Sequence, residues 1–77
     1  MPSAYVLFNV ESGSEDQVLN DVRKVEHVME AYVSYGVYDL VVKVKADTMN
    51  EVRELVSYHL RAIKNVRSTL TLMQMEE

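Results

Sequence analysis

No cysteine occurs in this chain. That absence removes disulfides, thiolate metal sites and cysteine nucleophiles, and it fits a protein kept in the reducing cytoplasm. Positive charge is also scarce. Eight Lys and Arg stand against twelve Asp and Glu, for a formal charge of -4. The basic residues Arg23, Lys24, Lys43, Lys45, Arg53, Arg61, Lys64 and Arg67 are scattered. None of them forms the stripe that tracks nucleic-acid phosphates. Direct nucleic-acid binding and attachment to an anionic membrane are therefore not expected. No apolar run approaches the length that spans a bilayer. The start, Met1-Pro2-Ser3-Ala4-Tyr5, lacks the charged and apolar regions of a signal peptide. Glycine-rich phosphate loops, G-x-S-x-G elbows and H-E-x-x-H pairs are missing too. The two histidines, His27 and His59, are not at zinc-binding spacing. His27 falls in a loop, and His59 lies at the edge of an apolar helical stripe, where it covers core. No metal, no cofactor and no catalytic residue is expected.

What remains is a chain of 77 residues with strong patterning. It allows one domain, residues 1–77. A chain this short buries only about 60% of the surface that its unfolded form exposes, so assembly is a natural support for a thin core. Ala4 to Val10 reads as a strand, rich in β-branched and aromatic residues. Ser14-Glu15-Asp16-Gln17 is a capping-box sequence, followed by Val18, Leu19 and Val22 at helical spacing. Val28 to Tyr35 and Tyr38 to Ala46 read as strands. Thr48-Met49-Asn50-Glu51 is a second capping box, and Val52, Leu55, Val56, His59, Leu60 and Ile63 form its stripe. Lys64 suits a helix C-terminus, and Asn65 suits a left-handed cap. Val66 to Met75 forms the last strand. This order is βαββαβ, an α+β ferredoxin-like plan with a four-stranded antiparallel sheet and two helices on one face.

Strand alternation divides the side chains between two faces. The helix-facing set is expected to be Val6, Phe8, Val10, Ala31, Val33, Leu40, Val42, Val44, Leu70 and Leu72. The opposite set is Tyr5, Leu7, Tyr32, Val41, Lys43, Lys45, Thr69, Thr71 and Met73. That second face is too apolar for open water, which points to sheet-on-sheet pairing with another copy.

Two segments carry the candidate chemistry. Tyr35-Gly36-Val37-Tyr38-Asp39-Leu40 is a glycine turn with aromatics and a carboxylate at its rim. Gly36 supplies a positive-φ position and leaves backbone amides uncovered. Asp39 has two readings: it holds an ammonium group by a charge-assisted hydrogen bond, or it caps nearby amides of the turn. Tyr35 and Tyr38 line a side-chain pocket or are ordinary strand-end aromatics. In the last strand, Ser68, Thr69 and Thr71 offer hydroxyls if that strand meets the hairpin tip across a subunit contact. Arg67 pairs with a carboxylate, most simply in an exposed ion pair. A carboxylate, free amides and a row of hydroxyls suit a small zwitterion such as an amino acid. The acids Glu11, Glu15, Asp16, Glu76 and Glu77 read as solvated charge.

The segment from Tyr35 to Val44 resembles the G-x-Y-D-hydrophobic-x-hydrophobic-K-V hairpin of the Lrp/AsnC family effector domain, also called the RAM domain (regulation of amino-acid metabolism). Val28 to Val33 and Val66 to Leu72 extend the resemblance, which covers Ala4 to Met73. Asn65 replaces the family's usual Gly, and a usual Pro is missing around Glu26. The family's helix-turn-helix domain has no room in this chain, so a stand-alone effector domain is expected. The resemblance implies sheet-paired dimers that assemble further, commonly to octamers, with amino acids bound in clefts between dimers. Gly36, Tyr38 and Asp39 match the hairpin that lines this cleft, and Ser68, Thr69 and Thr71 match its last-strand face. The implied role is a cytoplasmic, non-enzymatic module that modulates transcription or amino-acid metabolism, in part through mixed assembly with a full-length Lrp/AsnC regulator. The rival readings are a small dimeric α/β-barrel enzyme and an ACT-like allosteric module. The effector, the ring size and the partner regulator are not encoded in any motif of the chain.

Overall fold

The computed structural model describes residues 2–74. Met75, Glu76 and Glu77, assigned above to the last strand and to solvated charge, lie outside them. The elements run β1 (Ser3–Val10), α1 (Glu15–Arg23), β2 (Val28–Val33), β3 (Leu40–Lys45), α2 (Met49–Glu54) and β4 (Val66–Gln74). A π-helical turn, Leu55–Leu60, continues directly from α2. The sheet order is β2-β3-β1-β4, and every neighbouring pair is antiparallel. This is the ferredoxin-like arrangement expected from the βαββαβ order.

Apolar periodicity builds the core. Ala4, Val6, Phe8 and Val10 alternate inward from β1, and Leu40, Val42 and Val44 do so from β3. Val18 and Val22 of α1 and Val52, Leu55, Val56 and Leu60 cover them. No charged or polar side chain is buried with them among the described residues.

The two helix starts differ despite their similar sequences. Thr48 is extended, and its Oγ1 accepts from the Glu51 N–H at 3.1 Å. Ser14 has φ -101 and ψ 4, and its side chain makes no cap hydrogen bond. Gln17 accepts instead from Asn65 Nδ2 at 3.3 Å, so the first capping box does not form. Asn65 takes the left-handed conformation expected of it, with φ 73. The second helix ends earlier than its stripe implies: Leu60 closes the π turn and Arg61 caps it, ahead of Lys64.

The faces of β1, β2 and β3 follow the alternation. Those of β4 are exchanged. Leu70 and Leu72 point away from the helices, 43% and 50% exposed, while Thr69, Thr71 and Met73 are half-buried on the inner side. The cause is a bulge. Val10 pairs with Val66 and Asn9 with Ser68, leaving Arg67 as an extra residue. One inserted residue reverses every later side chain in a strand.

Candidate ligand-binding site

The hairpin between β2 and β3 closes with the Ser34 N–H donating to the Asp39 carbonyl at 2.7 Å. Gly36 sits at its tip with φ 132. An added Cβ there would meet nothing within 4 Å, so the backbone conformation, not space, requires glycine. Tyr35 is 96% exposed, and Tyr38 is half-buried beside Asp39.

Asp39 is tied to β1 twice. Its N–H donates to the Phe8 carbonyl at 2.8 Å. Its Oδ2 accepts from the Val10 N–H at 2.9 Å. The amide-capping reading therefore describes one carboxylate oxygen. The described hydrogen bonds leave Oδ1 without a protein partner.

Around that carboxylate lies a hollow of about 410 Å³ lined by Asn9, Asp39, Arg67 and Ser68. The β4 bulge sets Arg67 and Ser68 side by side at its rim. Asn9 Nδ2 donates to Ser68 Oγ at 3.4 Å, and Arg67 Nε stands 4.0 Å from Glu11 Oε1 in an exposed ion pair. A carboxylate, a guanidinium, an amide and a hydroxyl in one hollow complement both ends of a zwitterion. Asn9 was missed in the sequence. Its signal was a polar side chain at an outward position of an otherwise apolar strand.

The structure thus brings Asp39 and Ser68 together. Gly36 and Tyr38 belong to the same hairpin. Thr69 and Thr71 do not share this hollow: they line a groove on the helix side with Arg53, Val56, Ser57, Arg61 and Met73. His27 and His59 line a third hollow with Val25, Glu26, Glu51, Glu54 and Leu55. His59 is exposed there and covers no core, because the π turn rotates it off the apolar stripe. Among the described residues, no three His, Cys, Asp or Glu are grouped to hold a metal ion.

The outer sheet face carries an apolar row. Tyr32, Val41, Leu7 and Leu70 lie in register across all four strands. The next row is Glu30, Lys43, Tyr5 and Leu72, with Lys43 Nζ 5.6 Å from the centre of the Tyr5 ring. Tyr32 Oη donates to Glu30 Oε1 at 2.9 Å. That hydrogen bond and the Glu30 charge raise the Tyr32 pKa above its ordinary value. Ser3, Asn9, Ser68 and Gln74 give the face polar ends along β1 and β4. No helix among the described residues is long and apolar enough to cross a membrane.

Comparison with known proteins identifies the family of the chain. The family model of the Lrp/AsnC ligand binding domain matches residues 3–77. An uncharacterized HTH-type transcriptional regulator of Pyrococcus abyssi is 31% identical over 77 residues, covering 96% of this chain and 51% of the regulator. The chain spans about half the length of the curated regulators that it matches. A homocitrate synthase of Saccharolobus islandicus is 38% identical over 69 residues, covering 90% of this chain but 14% of the enzyme. Among solved structures, a hypothetical protein from Pyrococcus horikoshii superposes with a TM-score of 0.92 at 32% identity, covering 100% of this chain and 93% of that one. The chain belongs to the Lrp/AsnC ligand-binding-domain family, whose relatives include transcriptional regulators.

Proposed function

We propose that this domain senses a free amino acid and couples its binding to assembly. The observation that carries the reading is the Asp39 carboxylate, held by the Val10 amide through one oxygen, in a hollow that also contains Arg67, Asn9 and Ser68. The ligand's ammonium group meets Asp39 Oδ1. Its carboxylate meets Arg67 and Asn9 Nδ2. The uncovered amides at Gly36 and the rings of Tyr35 and Tyr38 belong to the rim contributed by the hairpin, where an adjoining copy closes the site. Thr69 and Thr71 lie outside the hollow, so the proposed site is Asn9, Tyr35, Gly36, Tyr38, Asp39, Arg67 and Ser68.

Assembly begins at the outer sheet face. Two such faces pack the row Tyr32-Val41-Leu7-Leu70 against its copy, as an aligned sheet sandwich does. Dimers then join into a larger ring, an octamer in this reading, alone or mixed with full-length Lrp/AsnC regulators in the cytoplasm. The domain itself neither binds DNA nor catalyses a reaction, and its output is a change in its partner. The match to homocitrate synthase favours a second reading, in which that partner is a biosynthetic enzyme. A thermal-shift screen with the twenty amino acids tests the proposal, because a ligand of the native state raises the melting temperature by mass action. A selective rise with one or a few amino acids supports it, and no rise with any of them overturns it.

A further inference from the structure

The groove between the second helix and β4 differs in charge from the other hollows described. It is lined by Arg53, Val56, Ser57, Arg61, Thr69, Thr71 and Met73, and it holds about 360 Å³. Among the described residues no carboxylate lines it, although the chain carries twelve Asp and Glu against eight Lys and Arg. Three other hollows among the described residues contain acid: Glu26, Glu51 and Glu54 beside the histidines, Glu30 beside Arg23, and Asp39 in the candidate site. The second helix therefore sorts its charges, with Glu51 and Glu54 toward one hollow and Arg53 and Arg61 toward the other.

Two backbone irregularities build this groove. The Arg61 N–H donates to the Val56 carbonyl at 3.0 Å, the five-residue step of a π turn. Arg61 and Val56, joined by that step, both line the groove. Such turns are rare and concentrate at functional sites. On the opposite wall, the bulge at Arg67 turns Thr69 and Thr71 inward. Without it, the larger Leu70 and Leu72 would fill the same wall. Among the described residues, neither arginine has an ion-pair partner.

We infer that this groove is a second ligand site, for a small organic dianion. The two guanidinium groups take its two charged ends, as forked donors suited to carboxylate or phosphate oxygens. Ser57, Thr69 and Thr71 supply hydroxyls, and Val56 and Met73 contact a short apolar body. The volume suits a ligand of small-metabolite size. The site is separate from the hollow at Asp39, so it stands or falls independently of the amino-acid reading.

The test is a titration of the isotopically labelled full chain, followed by backbone amide NMR, with glutarate in one arm and inorganic phosphate in the other. The expected result is saturable shifts at millimolar probe, centred on Arg53, Ser57, Arg61, Thr69 and Thr71. A response to glutarate alone assigns a dicarboxylate, and a response to phosphate assigns a phosphorylated ligand. Arg53→Gln and Arg61→Gln should each weaken binding about ten-fold or more, with unchanged melting temperature, while Asp39→Asn leaves it intact. Absence of saturation with both probes, shifts centred elsewhere, or equal binding by the double arginine variant would overturn the inference.

Discussion

The Val10 backbone N–H donates to Asp39 Oδ2 across 2.9 Å, fastening the base of the β2–β3 turn to the end of β1. Val10 is almost fully buried, so its amide has no ready access to water. Removing the acceptor leaves a buried donor unsatisfied, at a cost of about 1–3 kcal/mol. Asp39→Ala is expected to lose that much stability in a denaturant melt. Asp39→Asn retains an accepting oxygen and is expected to lose less than about 1 kcal/mol.

The two helix starts make an internal control. Thr48→Ala removes a formed cap and should cost about 0.5–2 kcal/mol. Ser14→Ala removes a hydroxyl that makes no cap hydrogen bond and should stay within about 0.5 kcal/mol of the parent. Equal losses in thermal unfolding would contradict the assigned geometry.

Tyr32 reports on the outer sheet face. The hydrogen bond to Glu30 and its charge raise the phenol pKa. The folded state thus holds the phenol proton more tightly than the unfolded chain does. Stability from this contact is complete below the ordinary phenol pKa of about 10 and is lost as pH rises through the raised value. Glu30→Gln removes the charge, so Tyr32 should titrate at lower pH in ring-labelled NMR spectra. An unchanged midpoint would remove Glu30 as the cause.

Leu70 is 43% exposed in the single chain and lies in register with Leu7, Val41 and Tyr32. Leu70→Glu should leave the protomer folded, because the side chain lies outside the core. It should also place like charges together between paired sheets. Light scattering is expected to show an oligomer for the parent and a mass near 8.9 kDa for the variant. A monomeric parent at micromolar concentration would refute sheet pairing.

Much of the fold was legible in the sequence. The order βαββαβ follows from runs such as Ala4–Val10 and Leu40–Val44, where each local preference agrees with the final sheet. Asn65 announced its left-handed conformation, and Thr48 its cap. The faces of β4 were not legible, because both sheet faces are rich in apolar residues and alternation alone does not choose between them. The Arg67 bulge makes that choice, and no residue type marks it. The π turn was hidden for a similar reason: Leu55 to Leu60 reads equally well as ordinary helix, so His59 was placed on the wrong side. In the candidate site, Asp39 and Gly36 stood out through turn chemistry. Asn9 and Arg67 joined them only through pairing across strands distant in sequence.

The most direct measurement of the account is calorimetry of amino-acid binding by the parent chain and by Asp39→Asn, using the ligand selected by thermal shift. The substitution keeps the size of the side chain and an acceptor for Val10 while removing the charge offered to the ammonium group. Loss of a charged hydrogen bond corresponds to about 1.5–3 kcal/mol, or roughly a ten- to hundred-fold weaker affinity. The account predicts that loss, with melting temperature and oligomer mass close to those of the parent. Equal affinity in an equally assembled variant would contradict it and leave Asp39 as the fastener of the hairpin alone.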